Sequence, residues 1–164
     1  GVQAFFNVQG LAGEIESVSV TVALQHSWAG DLTATLVSPD GRARLRLFGR
    51  VGARRGQAAD SSDWNGTYTF SDVATNDLWQ AAFTAGASSP IPAQAYRTTT
   101  AGVGQSLVGG CSSHLGLAFG GLQAAEANGA WTLQVTDSAN SDTGTLSAAG
   151  TALTITTRAS TLPD

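Results

Sequence analysis

Leu32-Thr33-Ala34-Thr35-Leu36-Val37-Ser38-Pro39-Asp40-Gly41-Arg42-Ala43-Arg44-Leu45-Arg46-Leu47 is the stretch whose reading decides the fold. Leu32, Ala34 and Leu36 alternate with Thr33, Thr35 and Val37, and Leu45 and Leu47 alternate with Arg42, Arg44 and Arg46. A period of two puts one side of each segment on a core and the other in water. Ser38-Pro39-Asp40-Gly41 between them has Pro at the position whose φ it presets and Gly at the fourth, a type I turn signature. The two segments therefore read as a β-hairpin.

Working outward, the same alternation runs through Val18–Leu24, Tyr68 and Phe70 with Thr67, Thr69 and Ser71, Trp131–Thr136, and Leu153–Thr156. Ser141-Asp142-Thr143-Gly144 reads as another tight turn. Six strands with polar outer sides predict an antiparallel sandwich or barrel. Between Asp72 and Ala130 the pattern breaks into Ala-rich and Gly-rich pieces, read as long loops, short strands and one short helix near Asn76–Phe83. At 164 residues the chain predicts one domain spanning 1–164, with a longer loop insertion around 85–123.

Composition narrows the function. The chain has 42% hydrophobic residues and 12% charged ones, enough apolar material to bury a core. The net charge is −4 and all eight cations are arginine, so the chain is poorly equipped to neutralise a phosphate backbone; no nucleic-acid partner is expected. No apolar run is long enough to span a bilayer. A single cysteine, Cys111, forms no internal disulfide and no Cys-rich zinc site. With no Met, the chain is expected to be a mature product or an excised piece, its export signal, if any, lying outside the sequence.

Catalytic motifs are missing. There is no H-E-x-x-H, C-x-x-C or G-x-S-x-G, and a P-loop needs a Lys. Ser113-His114 would need a converging Asp to act as a hydrolase and reads more simply as a polar loop pair. His26 reads as a packed, loop-ordering histidine donating to a backbone carbonyl. Carboxylates are richer: Asp31, Asp60, Asp63, Asp72, Asp77, Asp137 and Asp142 fall at strand ends or in loops. Loop carboxylates and carbonyls are the oxygen ligands that calcium takes, though Asp also favours turns through its own backbone bonds. Arg42, Arg44 and Arg46 share one strand side and make a basic stripe on an acidic protein, either a docking face or a charged edge that blocks aggregation. Trp131 is expected in the core, whereas Trp28, Trp64 and Trp79 lie in loop-like stretches, where they either cap the core or form a sugar-stacking platform.

The stretch His26-Ser27-Trp28-Ala29-Gly30-Asp31-Leu32, running on to Ser38-Pro39-Asp40-Gly41, resembles the opening signature of the P domain (P/Homo B domain). That module follows the subtilisin-like catalytic domain in kexin and furin. Tyr68–Asp72, Gly129–Asp137 and Asp142–Leu146 are similar to three further blocks of the family, in the same order. The final strand departs from it, with Ser147-Ala148-Ala149-Gly150 where a Trp usually stands. The resemblance implies an all-β, antiparallel, galactose-binding-like jelly-roll sandwich of about eight strands. It also implies a non-catalytic accessory module of a larger secreted bacterial protein, packing on a protease domain and located outside the cell, in the periplasm or on the cell surface. Calcium is implied as a structural cofactor, with Asp31, Asp72, Asp137 and Asp142 as the matching positions, although Asp31 and Asp72 are expected at opposite ends of the sandwich. A monomer is expected, with Arg42, Arg44 and Arg46 as the docking stripe. The competing expectation is a carbohydrate- or cell-surface-binding jelly roll.

Overall fold

The Ser38–Gly41 turn joins β3 (Leu32–Val37) to β4 (Arg44–Gly49) as the hairpin predicted above. The Gly41 N–H donates to the Ser38 carbonyl at 3.0 Å, and the Ser38 N–H to the Ala43 carbonyl at 2.8 Å. The Asp40 carboxylate accepts from the Ser38 hydroxyl and the Arg42 N–H, each at 3.0 Å. The structure, a computed structural model, describes residues 1–53, 59–99, 114–139 and 141–159.

Two four-stranded sheets face each other. One has the order β1 (Val2–Val8), β7 (Gly129–Asp137), β3, β4. The other has the order β6 (Ala95–Tyr96), β5 (Trp64–Phe70), β2 (Glu14–His26), β8 (Gly144–Arg158). The all-β sandwich expected from the alternation is the observed architecture, and every pairing is antiparallel except β5 with β6. Sequence reading misses β1, because Phe5 places a large apolar side chain on the water side and spoils the alternation. Ser147-Ala148-Ala149-Gly150 is part of β8, where the register on β2 jumps from Ser147 opposite Ala23 to Ala152 opposite Thr21. The Thr151 hydroxyl closes this irregularity, accepting from the Ala23 N–H and donating to the Ser147 carbonyl.

The core between the sheets is aromatic. An irregularity in the β3–β4 register turns both Leu47 and Phe48 inward. The Phe48 ring lies 4.6 Å from Trp64 and 5.4 Å from Phe70, centroid to centroid, and Trp64 meets Tyr68 edge-on at 4.8 Å. Trp131 is fully buried, as expected, and packs edge-on against Phe119 at 5.2 Å. Trp64 and Trp79 are also buried, at 1% exposure each, which overturns the expectation of a sugar-stacking platform at these rings. They sit in loop-like sequence but face inward, since an indole left in water forfeits a large apolar area. Trp28 is half-buried.

The short helix predicted near Asn76–Phe83 is α1 (Leu78–Ala85), capped by the Asp77 carboxylate, which accepts the Trp79 and Gln80 N–H groups. The expected insertion around 85–123 contributes to the core at both of its described ends. Ile91 and Tyr96 are buried on one side, and Leu115 and Phe119 of α2 (Leu115–Phe119) on the other. A third short helix, α3 (Ala124–Ala127), leads into β7. Cys111, Ser113, Arg54 and Arg55 lie outside the described residues. No helix among the described residues is long and apolar enough to cross a membrane.

Phe48→Ala removes the ring that bridges the two sheets. It should cost about 3–5 kcal/mol of stability, read as a lower urea midpoint at unchanged slope, with Phe48→Leu costing clearly less.

Candidate functional site

His26 ends β2 with its side chain directed inward, because it falls on the same parity as Val20, Val22 and Leu24. Its Nε2 lies 2.9 Å from Asp137 Oδ2, and its Nδ1 lies 3.1 Å from the Trp28 N–H and 3.0 Å from the Trp28 carbonyl. With the proton on Nε2, the ring donates to Asp137 and accepts from the Trp28 N–H, so both nitrogens are used. His26 is packed and orders the loop as expected, but in this arrangement it donates to the Asp137 carboxylate rather than to a backbone carbonyl. Its carboxylate partner is not signalled by the sequence, since Asp137 is 111 residues away.

The chain next turns through a single 3-10 segment, Ala29–Asp31. Ala29 and Gly30 donate their N–H groups to the carbonyls of Ser62 and Asp60, at 2.7 and 2.9 Å. The Trp64 indole donates to the Ala29 carbonyl at 3.2 Å. Position 30 has to be glycine: a Cβ there would stand 2.2 Å from the Ala59 Cβ and 2.7 Å from the Val51 carbonyl oxygen. Gly144 is constrained in the same way, because a Cβ would lie 2.2 Å from the Gln25 carbonyl oxygen and 2.6 Å from the His26 ring.

This locked turn presents Asp31, which is 5% exposed and whose main-chain carbonyl accepts the Ser138 N–H at 2.9 Å. Burial pushes its carboxyl pKa up, and the neighbouring Asp137 and Asp142 push it further, against a partial offset from His26 and Arg50. For Asp137 burial also works against the charge. The Ala139 N–H at 3.0 Å, the His26 bond and the N-terminal amine outweigh it and hold the pKa below the ordinary value. Asp142 accepts from the hydroxyls of Ser27 at 2.9 Å and Ser141 at 3.3 Å. His26, Asp137, Asp142 and Gly144 line a cleft of about 270 Å³ at this end of the sandwich.

Three of the four carboxylates expected as metal ligands are thus neighbours, and the fourth is elsewhere. Asp72 follows the far end of β5, whose first residue pairs with His26. Seven residues of strand separate the two ends by roughly 20 Å. There Asp72 accepts the N–H groups of Leu115 and Gly116, at 2.7 and 2.8 Å, at the start of α2. Asp60 is likewise absorbed in a turn, accepting the Ser62 N–H at 2.8 Å. The oxygens of Asp31, Asp137 and Asp142 suit a hard cation in kind. Even so, no three His, Cys, Asp or Glu side chains among the described residues stand together as a ready metal cage.

The arginine stripe divides too. Arg42 belongs to the hairpin turn and lies 3.8 Å from the Asp40 carboxylate. Arg44 and Arg46 project from the outer side of β4, beside Thr35 and Gln134. Neither makes an ion pair with a described residue.

Residues 15–82 match the family model of the proprotein convertase P-domain. The match covers the hairpin, the Trp28–Asp31 turn and β5, and it bears out the resemblance read from His26–Gly41. No curated protein and no solved structure matches the chain.

Asp137→Ala should lower stability by about 1.5–3 kcal/mol, the usual worth of hydrogen bonds to a charged group. Because the folded pKa of Asp137 is depressed, its contribution is complete above the unfolded value of 3.8. It is lost as the pH falls through the folded value, so the gap between wild type and Asp137→Ala should narrow only on acidification below 3.8. Asp31 has the opposite sign, since a raised pKa means that its charge opposes folding at neutral pH. Asp31→Asn should therefore raise the melting temperature in metal-free buffer at pH 7, and thermal scans across pH would record the gain fading in acid.

Proposed function

We propose that this chain works as a non-catalytic accessory module of a larger secreted bacterial protein, packing on a subtilisin-like or other protease domain and stabilising it. The match of residues 15–82 to the P-domain family carries the reading, because P domains are accessory modules of proprotein convertase-like proteases. The geometry around His26 supports the non-catalytic part. A general base must offer a free nitrogen within reach of a substrate proton. The His26 side chain is 3% exposed, and its two nitrogens are occupied by Asp137 and the Trp28 backbone.

Calcium belongs to the same reading, as a structural ion held by Asp31, Asp137 and Asp142 with loop carbonyl oxygens. What supports it is Asp31, 5% exposed, whose carboxyl pKa is pushed up by burial and by Asp137 and Asp142, with His26 and Arg50 offsetting this only in part. A cation there would relieve both the desolvation and the repulsion. Asp72 is left out of this set, because it lies at the other end of the sandwich, beside the start of α2. Of the stripe Arg42, Arg44 and Arg46, the two strand residues Arg44 and Arg46 are proposed to meet the neighbouring domain, since Arg42 belongs to the hairpin turn beside Asp40.

Mixed with or fused to its protease domain, the module should raise that domain's melting temperature, and an unchanged melting temperature would refute the accessory role. For calcium, the comparison is the module's melting temperature in EDTA and in excess calcium. At 100 times the dissociation constant the ion stabilises by about 2.7 kcal/mol, or about 5–10 °C for a chain of this size. Asp31→Asn should abolish the shift. No shift in the wild type would leave these aspartates as turn and loop chemistry alone.

A further inference from the structure

The register of the β1-β7-β3-β4 sheet lines up its outer side chains in rows. Phe5 stands opposite Thr132, which stands opposite Val37, which stands opposite Arg44. Beside this row run Gln3, Gln134, Thr35 and Arg46. Four strands at about 4.8 Å spacing make each row roughly 14 Å long. No Asp or Glu occurs in either row, although acidic residues outnumber basic ones twelve to eight in the chain. Arg44 and Arg46 have no carboxylate partner among the described residues, and at the other end Phe5 is 65% exposed. Val37 faces the same way as Arg44 yet is only 8% exposed, as expected where an arginine stem lies across an apolar neighbour. A Cβ on Gly49 would stand 2.7 Å from the Arg46 Cδ, so the Arg46 side chain also lies along the sheet.

The opposite sheet presents a different surface. Its rows Gln25-Asn65-Thr145 and Ala23-Thr67-Ser147 carry no charge, and at the far end of β2 and β8 Arg158 is paired with Glu14 at 2.7 Å. Several of its side chains bond one another, as in Ser17 with Thr156, Thr21 with Thr69 at 3.0 Å, and Gln25 with Asn65 at 3.4 Å. One face satisfies itself, whereas the other holds two unpaired cations and an exposed ring.

We infer that the outer face of the β1-β7-β3-β4 sheet is the docking surface, and that its partner is a protein surface carrying carboxylates and an apolar patch to one side of them. This rests on the accessory-module reading, since it names the face and the partner's chemistry. Arg44 and Arg46 meet the carboxylates, Phe5 enters the apolar patch, and Arg42, held beside Asp40 in the turn, takes no part. Aromatic residues and arginine dominate interface energetics, and charge complementarity sets the partner's sign.

The test has two arms. In the first, a fluorescent peptide of glutamates with one leucine is titrated into the chain, with heparin and a lysine version of the peptide alongside. The acidic peptide should bind in a salt-sensitive way. Arg44→Glu with Arg46→Glu should weaken it at least about tenfold, Phe5→Ala about threefold, and Arg42→Glu hardly at all. Binding that survives the double reversal overturns the inference, as does heparin binding through this face while the peptide is ignored. In the second arm the double-reversal variant is mixed with the protease domain. If the wild type stabilises that domain and the variant does so equally, the accessory reading stands and the face is wrong. If neither stabilises it, the accessory reading itself falls. Circular dichroism and melting of the variants alone should match the wild type, because these side chains lie on the surface.

Discussion

Trp64 is where the core of this protein and its candidate site become one problem. Its ring fills the space between the sheets, 4.6 Å from Phe48 of one and edge-on to Tyr68 of the other. Its buried indole N–H finds the Ala29 carbonyl at 3.2 Å. That bond draws the Ala29–Asp31 turn against the sandwich, so tightly that only glycine fits at position 30. The turn then has no freedom to swing Asp31 into water. Hydrophobic packing thereby enforces an electrostatically unfavourable arrangement of Asp31 against Asp137 and Asp142.

The rest of the charge distribution follows from the sandwich. Core-facing positions are apolar, and the described portions of the two outer faces are nearly free of carboxylates. The acidic residues that make the chain net negative therefore collect at turns and at the ends of the strands. Several are absorbed there by backbone donors: Asp40 in the hairpin, Asp60 beside Ser62, Asp77 at the start of α1 and Asp72 at the start of α2. Asp31 differs because burial and the charges of Asp137 and Asp142 outweigh the attraction of His26 and Arg50 at its carboxyl. The contrast between ordinary turn aspartates and this one is visible only when their surroundings are compared residue by residue.

The hairpin at Ser38–Gly41, the alternating strands and the helix at 78–85 were legible because each depends on neighbours within a few residues. Period two, a preset proline, and an aspartate at an N-cap are local signals. β1 was not legible, since Phe5 occupies a surface position that alternation assigns to a polar side chain. For Trp64 and Trp79 the sequence offered both core capping and a sugar-stacking platform, and only the structure chose burial, because loop-like flanking sequence carries no sign of which way a ring points. Of the candidate site, the aspartates could be named and their separation into two ends anticipated, but the His26–Asp137 bond could not.

Sequence alone determined the strand faces, the turns, the family resemblance and the absence of lysine, because these rest on residue type and on spacings shorter than a strand. Only the tertiary structure decided which residues from distant parts of the chain meet. It set β2 between β5 and β8, which places Gly144 against His26, and β3 beside β7, which brings Asp137 to Asp31. It placed Phe5 in one row with Arg44, and it sent Asp72 to the other end of the sandwich. Contacts of this kind depend on strand order and register. Those are chosen by how the two apolar faces pack together, and no local pattern in the chain encodes that choice.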